Sequence, residues 1–246
     1  MRLAAIIPAR HGAERLPGKP LADIGGVPMV VRVARIAKSA KGIDEVAVAT
    51  DDERIAAAVR ADGFRAVMTS KLCKNGSERI AQAALEVPAD GYLNVQGDEP
   101  LLDPRALEAL AALVRQGHAM STLARPLAPG EDASNPSLCK VVLGDDGHAL
   151  YFSRAEVPFQ RAKGVVLPLV HIGLYGFSKS FLQTFANLPE TALERAEGLE
   201  QLRALAHGHR IQVGLGFWTS IAVDTPEDLE RVRAAIAAQE TTRRFS

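Results

Sequence analysis

The chain has 246 residues, 47% of them hydrophobic, so it is long enough to bury a large core. Its 29 Lys and Arg residues balance 29 Asp and Glu residues, which argues against a protein whose whole surface binds nucleic acid or an anionic membrane. Cys73 and Cys139 form no CxxC motif, which indicates neither a disulfide framework nor a thiolate metal site and favours a reducing cytoplasm. No apolar run approaches the roughly 18 residues of a membrane-spanning helix, so we expect no membrane insertion.

The first half of the chain alternates short apolar runs with longer amphipathic ones. The short runs have the length of strands, and the longer ones have helical periodicity. The predicted strands cover 3–8, 45–50, 65–68 and 91–96, and the predicted helices cover 27–40, 52–61, 77–86 and 103–115. Strands and helices in this order form a mainly parallel sheet flanked by helices. The predicted fold class is therefore α/β.

From residue 119 onward, strand-like pieces follow one another with fewer helices between them. They cover 119–124, 138–143, 171–177 and 211–215. This pattern predicts a smaller lobe with a mixed sheet. A helical pattern returns at 229–237, after a segment in which Asp224 or Thr225 can cap and Pro226 suits the first helical position.

Three cations, Arg10, Arg15 and Lys19, follow the first strand within ten residues. Two glycines in the same segment, Gly12 and Gly18, let backbone N–H groups approach an anion. Open α/β sheets bind ligands at this end of a strand, so the segment is typical of a phosphate cradle. It is not a Walker loop, because five residues separate the glycines and no Ser or Thr follows the lysine. A solvated basic loop is the alternative interpretation.

Two carboxylates stand where a divalent cation could be held beside bound phosphates. Asp98 follows the predicted strand 91–96, and Asp224 follows the apolar run 221–223. Carboxylate oxygens are the ligands that Mg²⁺ prefers, and the ion would bridge them to a nucleotide. Each carboxylate alone could also be a helix cap or turn residue.

Two further segments carry polar residues at informative spacing. The segment 74–79 is typical of a turn that enters a helix, where Asn75 or Ser77 caps the helix or its N-terminus binds an anion or a base. In the strand 171–177, the alternation places His171, Gly173 and Tyr175 on one face. That face suits a sugar or acid pocket, although a core histidine or an edge strand explains it equally well.

Two helical spacings occur near residue 200. Glu197 and Gln201 are four residues apart, which predicts that they share one face of a helix. Glu200 and Arg203 are three apart and could form a solubilising surface pair.

Seven ordered blocks of the chain resemble the 3-deoxy-manno-octulosonate (Kdo) cytidylyltransferases, or CMP-Kdo synthetases. The blocks are IPAR to RLPGKPL at 7–21, ATDD at 49–52, NVQGDEP at 94–100, ALYFSR at 149–154, HIGLY at 171–175, LEQLR at 199–203 and VDTPED at 223–228. The resemblance implies a nucleotide-diphospho-sugar-transferase-like fold and a cytoplasmic homodimer that uses CTP and Mg²⁺ to make lipopolysaccharide precursors. It also implies a single domain with a nucleotide-binding half (about 1–118), an acceptor-binding and dimerisation lobe (about 119–215) and a return to the core (216–246).

The resemblance also implies roles for individual residues. Arg10, Arg15 and Lys19 would hold the triphosphate, Asp98 and Asp224 would hold Mg²⁺, and Arg10, Lys19, Asp98 and Asp224 would form the catalytic set. Gly76, Ser77 and Gln96 would contact the cytidine, and Arg79, Arg154, His171, Tyr175, Glu197 and Gln201 would line the acceptor pocket. The chain departs from the family pattern at His11, Lys74, Asn75 and Val170. Most of these positions are ones at which the family is expected to recognise the base and the acceptor.

Three functions stay open at this point. The first is CMP transfer from CTP to the anomeric hydroxyl of Kdo or a close 2-keto-3-deoxy sugar acid, with release of pyrophosphate. The second is CMP transfer to another anionic acceptor, such as 8-amino Kdo or phosphonoformate. The third is nucleotide binding without turnover, which the three loop cations and two candidate metal carboxylates argue against.

Overall fold

The computed structural model describes residues 1–12, 16–162 and 164–244, with side chains described as far as residue 239. The chain forms two compact units, which we call unit 1 (Met1–Glu108 with Trp218–Ser246) and unit 2 (Ala109–Phe217). The elements, in chain order, are β1 (Leu3–Ala9), a 3-10 helix (Lys19–Leu21), β2 (Asp23–Ile24), β3 (Val27–Pro28), α1 (Met29–Ser39), β4 (Glu45–Thr50), α2 (Glu53–Ala61), β5 (Arg65–Met68), α3 (Gly76–Ala83), β6 (Gly91–Asn94), α4 (Pro104–Arg115), β7 (Met120–Pro126), β8 (Lys140–Leu143), β9 (Ala149–Ser153), β10 (Leu169–Ser178), α5 (Lys179–Asn187), α6 (Ala192–Glu197), α7 (Gln201–Ala206), β11 (Gln212–Leu215) and α8 (Pro226–Arg244).

The sheet of unit 1 is parallel, as predicted. Its strands lie in the order β6-β1-β4-β5, and each neighbouring pair runs in the same direction. The apolar residues of β1 and β4 are almost all buried, because helices cover both faces of such a sheet. The carboxyl ends of β1, β4 and β6 consequently meet at one edge, which brings together chain segments that are far apart in sequence.

Side-chain caps mark the start of three helices of unit 1, α2, α3 and α8. Asp52 caps α2 by accepting a hydrogen bond from the Arg54 amide, and Asn75 caps α3 by accepting one from the Glu78 amide. At the start of α8, the Thr225 hydroxyl accepts a hydrogen bond from the amide of Asp228. The cap of α8 is therefore Thr225, and Asp224 is left to face the sheet edge.

The C-terminal helix packs onto the N-terminal part of unit 1. Val232 and Ile236 of α8 join a buried cluster with Ile24 and Met29, and Val223 belongs to the same cluster. Burial of these apolar side chains stabilises the return of the chain to unit 1. The packing fixes the backbone just before α8, where Asp224 lies.

Unit 2 contains the predicted mixed sheet, with strand order β11-β7-β10-β8-β9. Only the β11–β7 pair is parallel, and the other three pairs are antiparallel. Gly176 of β10 is required for close packing, because a Cβ there would lie 2.5 Å from Val114 Cγ2 and 2.6 Å from Ser121 Oγ.

None of the helices in the described parts of the chain is long and apolar enough to cross a membrane.

The structure corrects two predictions in unit 2. Glu197 and Gln201 do not share a helix face, because α6 ends at Glu197, Gly198 adopts a left-handed φ of 62°, and α7 begins at Gln201. Arg203 is also not a solvated surface residue, since its buried guanidinium pairs with the buried carboxylate of Glu194. Strand β9 and helix α5 were not predicted as elements.

Candidate active site

A cavity of about 510 Å³ lies in unit 1 at the carboxyl ends of β1 and β6. The sequence-predicted site residues that line it are Arg10, Lys19, Gly76, Arg79, Gln96, Asp98 and Asp224. Ser77 is buried in the first turn of α3 beside this wall. Arg15 lies outside the described residues. The cavity therefore unites the predicted phosphate cradle, both predicted metal carboxylates and part of the predicted cytidine site.

The ammonium group of Lys19 joins the two predicted metal ligands. Its Nζ donates hydrogen bonds to Asp98 Oδ2 at 2.7 Å, to the Val223 carbonyl at 2.8 Å and to Asp224 Oδ1 at 3.3 Å. The Lys19 side chain is 14% exposed, so water screens these contacts less than at an open surface. A backbone hydrogen bond from Val223 to the Asp98 carbonyl, 2.9 Å long, ties the same two segments together.

Two glycines allow this close approach. A Cβ at Gly97 would lie 3.0 Å from the carbonyl oxygen of Pro8, so the segment before Asp98 can lie against β1 only without a side chain. Gly18 has a left-handed φ of 74° and stands directly before the 3-10 helix that carries Lys19. Its amide donates to the His11 carbonyl at 3.1 Å and closes the loop.

The oxygen atoms around Lys19 Nζ are suited to a divalent cation. Two carboxylates and one carbonyl converge on a single positively charged atom, and Mg²⁺ prefers such hard oxygen ligands. No group of three or more His, Cys, Asp or Glu side chains within the described residues could hold a metal by itself. The donor set therefore fits an ion that takes its remaining ligands from water and phosphate.

Two cationic side chains in the wall are available to an anion. Arg10 is exposed, and within residues 1–12, 16–162 and 164–239 it makes no hydrogen bond or ion pair; the same holds for the ammonium group of Lys74. The wall also contains the N-terminus of α3, whose dipole favours negative charge. This end of the cavity is therefore electrostatically suited to a polyphosphate.

Arg79 plays a different part from the other cations. Its guanidinium is buried and donates to Thr69 Oγ1 at 2.6 Å and to Asp51 Oδ2 at 2.8 Å. These contacts hold α3 against the ends of β4 and β5. Arg79 lines the cavity with a charge that Asp51 already balances.

A buried carboxyl group lies next to Asp98. Burial raises the pKa of Glu99 to about 7, while a 2.8 Å hydrogen bond from the Ser220 hydroxyl opposes the shift and the nearby Asp98 charge adds to it. Desolvation dominates because the Glu99 side chain is buried directly beside Asp98.

The predicted acceptor residues of unit 2 form two groups, and the members of each group contact one another. In the first, the Glu197 carboxylate accepts hydrogen bonds from the Arg154 amide at 2.8 Å and from the Ser153 hydroxyl at 2.7 Å. Arg154 Nε donates to the Glu197 carbonyl at 2.7 Å. Burial alone would raise the pKa of Glu197, but these hydrogen bonds lower it overall, so this carboxylate is ionised at neutral pH.

The second group lies on β10 and α7. The His171 and Tyr175 ring centroids are 5.5 Å apart, and the Tyr175 hydroxyl donates to Gln201 Oε1 at 2.9 Å. Tyr175 pairs with Thr122 of β7, and His171 pairs with Ala124 of the same strand. Because Thr122 and Ala124 are two residues apart, the two rings lie on one face of the sheet, even though the register of β10 shifts between Ile172 and Tyr175. Burial lowers the pKa of His171 to about 3. The ring is therefore neutral at neutral pH, and it can donate a hydrogen bond from one nitrogen and accept one at the other.

Sequence reasoning missed a buried lysine beside the first of these groups. Lys140 is fully buried, and its ammonium donates to the carbonyls of Asn135 at 2.9 Å, Leu138 at 2.6 Å and Arg154 at 2.5 Å. Lysine is among the least buried residue types, so nothing in the sequence marked this one. It fixes the backbone from which the Arg154 side chain extends.

The departures from the family pattern are distributed over both units. Lys74 and Asn75 line the cavity, and His11 lies against Gly18, where a Cβ would come within 3.4 Å of His11 Nε2. In unit 2, Val170 is buried in β10 and its backbone is in register with Lys140. Three of the four departures therefore lie at the cationic loop or in the cavity wall.

Comparison with known proteins identifies the family of the chain. A family model described as cytidylyltransferase matches residues 4–211. A 3-deoxy-manno-octulosonate cytidylyltransferase of Anaeromyxobacter sp. (strain Fw109-5) is 51% identical over 240 residues, covering 96% of this chain and 98% of the relative. One from Myxococcus xanthus (strain DK1622) is 48% identical, covering 97% and 98%. The chain therefore belongs to the 3-deoxy-manno-octulosonate cytidylyltransferase family.

Solved structures give the same answer for the fold. A CMP:2-keto-3-deoxy-manno-octonic acid synthetase complexed with CTP superposes with a TM-score of 0.93 at 40% identity, covering 97% of this chain and all of that one. A putative glucose-1-phosphate thymidylyltransferase from Bacillus anthracis has a TM-score of 0.68 at 12% identity, covering 95% and 94%, and shows likeness of fold alone. The predicted nucleotide-diphospho-sugar-transferase-like fold is confirmed.

Proposed function

We propose that this chain transfers CMP from CTP to the anomeric hydroxyl of Kdo, or of a close 2-keto-3-deoxy sugar acid, and releases pyrophosphate. The observation that carries the proposal is the meeting of Lys19, Asp98 and Asp224 in the wall of one cavity. Relatives about half identical over nearly the full length are named for this reaction. The activated sugar acid would serve lipopolysaccharide synthesis, as the family resemblance implies.

The reaction needs alignment and charge neutralisation more than covalent chemistry by the protein. The hydroxyl oxygen attacks the α-phosphorus of CTP, the bond from that phosphorus to the bridging oxygen breaks, and pyrophosphate leaves. Arg10, Arg15 and Lys19 are proposed to hold the triphosphate, and Lys74 and the N-terminus of α3 in the same cavity wall would add to the neutralisation of phosphate charge. Gly76, Ser77 and Gln96 are proposed to position the cytidine.

Magnesium is proposed as the cofactor, held by the carboxylates of Asp98 and Asp224. When bound, Mg²⁺ would withdraw charge from the phosphate oxygens and lower the pKa of a coordinated hydroxyl. The chain's own contribution is to keep two carboxylate groups at one point, which the hydrogen bonds from Lys19 Nζ achieve.

The acid is proposed to bind in unit 2. Arg154 offers a positive charge, and the ionised Glu197 can accept hydroxyl hydrogens. Neutral His171, Tyr175 and Gln201 offer further polar atoms on β10 and α7. A sugar acid presents one carboxylate and several hydroxyls, and this donor and acceptor set is complementary to both. Arg79 is the sixth proposed acceptor residue, in unit 1.

The partner of the chain is proposed to be a second copy of itself, in the cytoplasm. The segment between β9 and β10 exposes large apolar side chains, with Phe159 at 88%, Val165 at 73% and Leu167 at 72% exposure. Exposed apolar residues clustered in one segment are typical of a protein interface. Both cysteines are free thiols, as a reducing compartment requires.

The first prediction concerns the acceptor. Incubated with CTP, Mg²⁺ and a panel of acids, the protein should release pyrophosphate fastest with Kdo, because the proposed pocket is matched to a hydroxylated acid. The panel contains Kdo, 8-amino Kdo and phosphonoformate. Faster release with phosphonoformate would contradict the sugar-acid proposal, and release with none of the acids would leave a nucleotide-binding protein without turnover.

The second prediction concerns the metal carboxylates. Asp98→Asn keeps the oxygen that accepts from Lys19 but removes the negative charge, so we expect kcat to fall at least about 100-fold with the melting temperature unchanged. The matched control is Asp103→Asn, at the start of α4, where Asn retains the hydrogen bond to the Arg105 amide. Near-normal turnover by Asp98→Asn would remove Asp98 from the site.

The third prediction concerns the proposed dimer. Sedimentation velocity should give a dimer for the unmodified chain, and the double variant Phe159→Ser with Leu167→Ser should move it towards the monomer, because both side chains are exposed in the separate chain. Leu85→Ser, which changes another leucine that is 76% exposed, in unit 1, should leave the dimer intact. A dimer in all three proteins would place the interface elsewhere.

A further inference from the structure

Asn94, the last residue of β6, is a buried polar residue without an evident purpose in the free protein. Its side chain is 0% exposed, and neither Oδ1 nor Nδ2 has a hydrogen-bond partner among the described residues. An amide that is buried and unpaired destabilises the folded chain, whereas leucine of similar volume would fill the same space without that cost. A residue that costs stability in the free protein calls for a functional explanation.

The surroundings of Asn94 place it directly behind the wall of the nucleotide cavity. A Cβ built on Gly76 would lie 3.8 Å from Asn94 Nδ2 and 3.3 Å from Cγ of Pro8. Both Gly76 and Pro8 line the cavity, and Gly76 is the first residue of α3. The amide thus lies within contact range of the place where the strand β1 and the N-terminus of α3 form one wall.

The neighbourhood on β6 points the same way. Gln96, two residues beyond the end of β6, lines the cavity. The residues on either side of Asn94 are apolar, and Leu93 and Val95 are fully buried. The polar amide therefore interrupts an apolar strand at the one end that meets the cavity.

We propose that Asn94 is a positioning residue for the nucleotide: its buried amide lies behind the Pro8–Gly76 wall and gains hydrogen bonds when CTP occupies the cavity. The free protein holds the amide unpaired, so pairing in the occupied state adds to the affinity for CTP. The effect is on CTP binding and not on the acid, because the contacts of Asn94 are with the wall at β1 and α3. The inference rests on the proposed function for its ligand, CTP.

The test uses Asn94→Leu in the full chain. We expect the melting temperature of the free protein to rise by about 2–4 °C, since the unpaired amide is gone. We expect the dissociation constant for CTP, measured by calorimetry, and the KM for CTP to rise about tenfold, while the KM for the acid stays within twofold. A merely structural role would not weaken nucleotide binding in a protein that has become more stable.

Two further variants keep the test decisive. Ile6→Leu changes packing at the register partner of Asn94 without altering a polar group, so its CTP affinity should equal that of the unmodified chain. Asn94→Ala removes the amide with a smaller side chain and should show the same loss of CTP affinity. It replaces the leucine variant if that protein does not fold.

Two results would overturn the proposal. Unchanged CTP affinity in the Asn94 variants would show that the amide does nothing for the nucleotide. A lower melting temperature in Asn94→Leu would show that the amide is already satisfied in the free protein and serves the fold. Calorimetry with CTP needs no turnover, so a failure of the proposed reaction would be distinguishable from a failure of this inference.

Discussion

The structure of the site depends on one partly buried ammonium group. Lys19 Nζ contacts Asp98, 79 residues away along the chain, and Asp224, 205 residues away. Two carboxylates this close would repel each other, and the positive charge between them removes that cost. Because the third contact is to the Val223 carbonyl, the same group holds the C-terminal segment at the sheet edge. One cation thus assembles three distant segments into one wall of the cavity.

The parallel sheet of unit 1 makes this meeting possible. Strands joined by right-handed crossovers end at the same edge, so residues after β1 and β6 are neighbours without any long-range sequence signal. The packing of α8 on Ile24 and Met29 then brings Asp224 to that edge. Glycines complete the arrangement, since a Cβ at Gly97 would lie only 3.0 Å from the Pro8 carbonyl oxygen and would force the two segments apart by a few tenths of an ångström. The positions of the site residues therefore depend on the packing of the core as well as on the polar contacts.

Sequence reasoning succeeded where periodicity and strand order carry the information. The strands at 45–50 and 65–68 have the predicted bounds, and the meeting of Asp98 with Asp224 followed from their places after apolar runs. It failed where the outcome depends on tertiary packing. A lysine with three carbonyl partners, such as Lys140, follows no local pattern. Gly198 is a different case, because a left-handed glycine is a common local signal for the end of a helix, and the spacing argument for Glu197 and Gln201 overlooked it. The family resemblance added the identity of the nucleotide and acid, which neither spacing nor composition contains.

In the nucleotide-free protein, Lys19 Nζ occupies a cation position between Asp98 and Asp224. The most direct test is a titration of the nucleotide-free protein with Mn²⁺, followed by electron paramagnetic resonance, in the unmodified chain and in Lys19→Met. Removing the like charge should make Mn²⁺ bind about tenfold more tightly to the variant, provided that its circular dichroism spectrum is unchanged. Equal or weaker Mn²⁺ binding by a folded Lys19→Met protein would contradict the account.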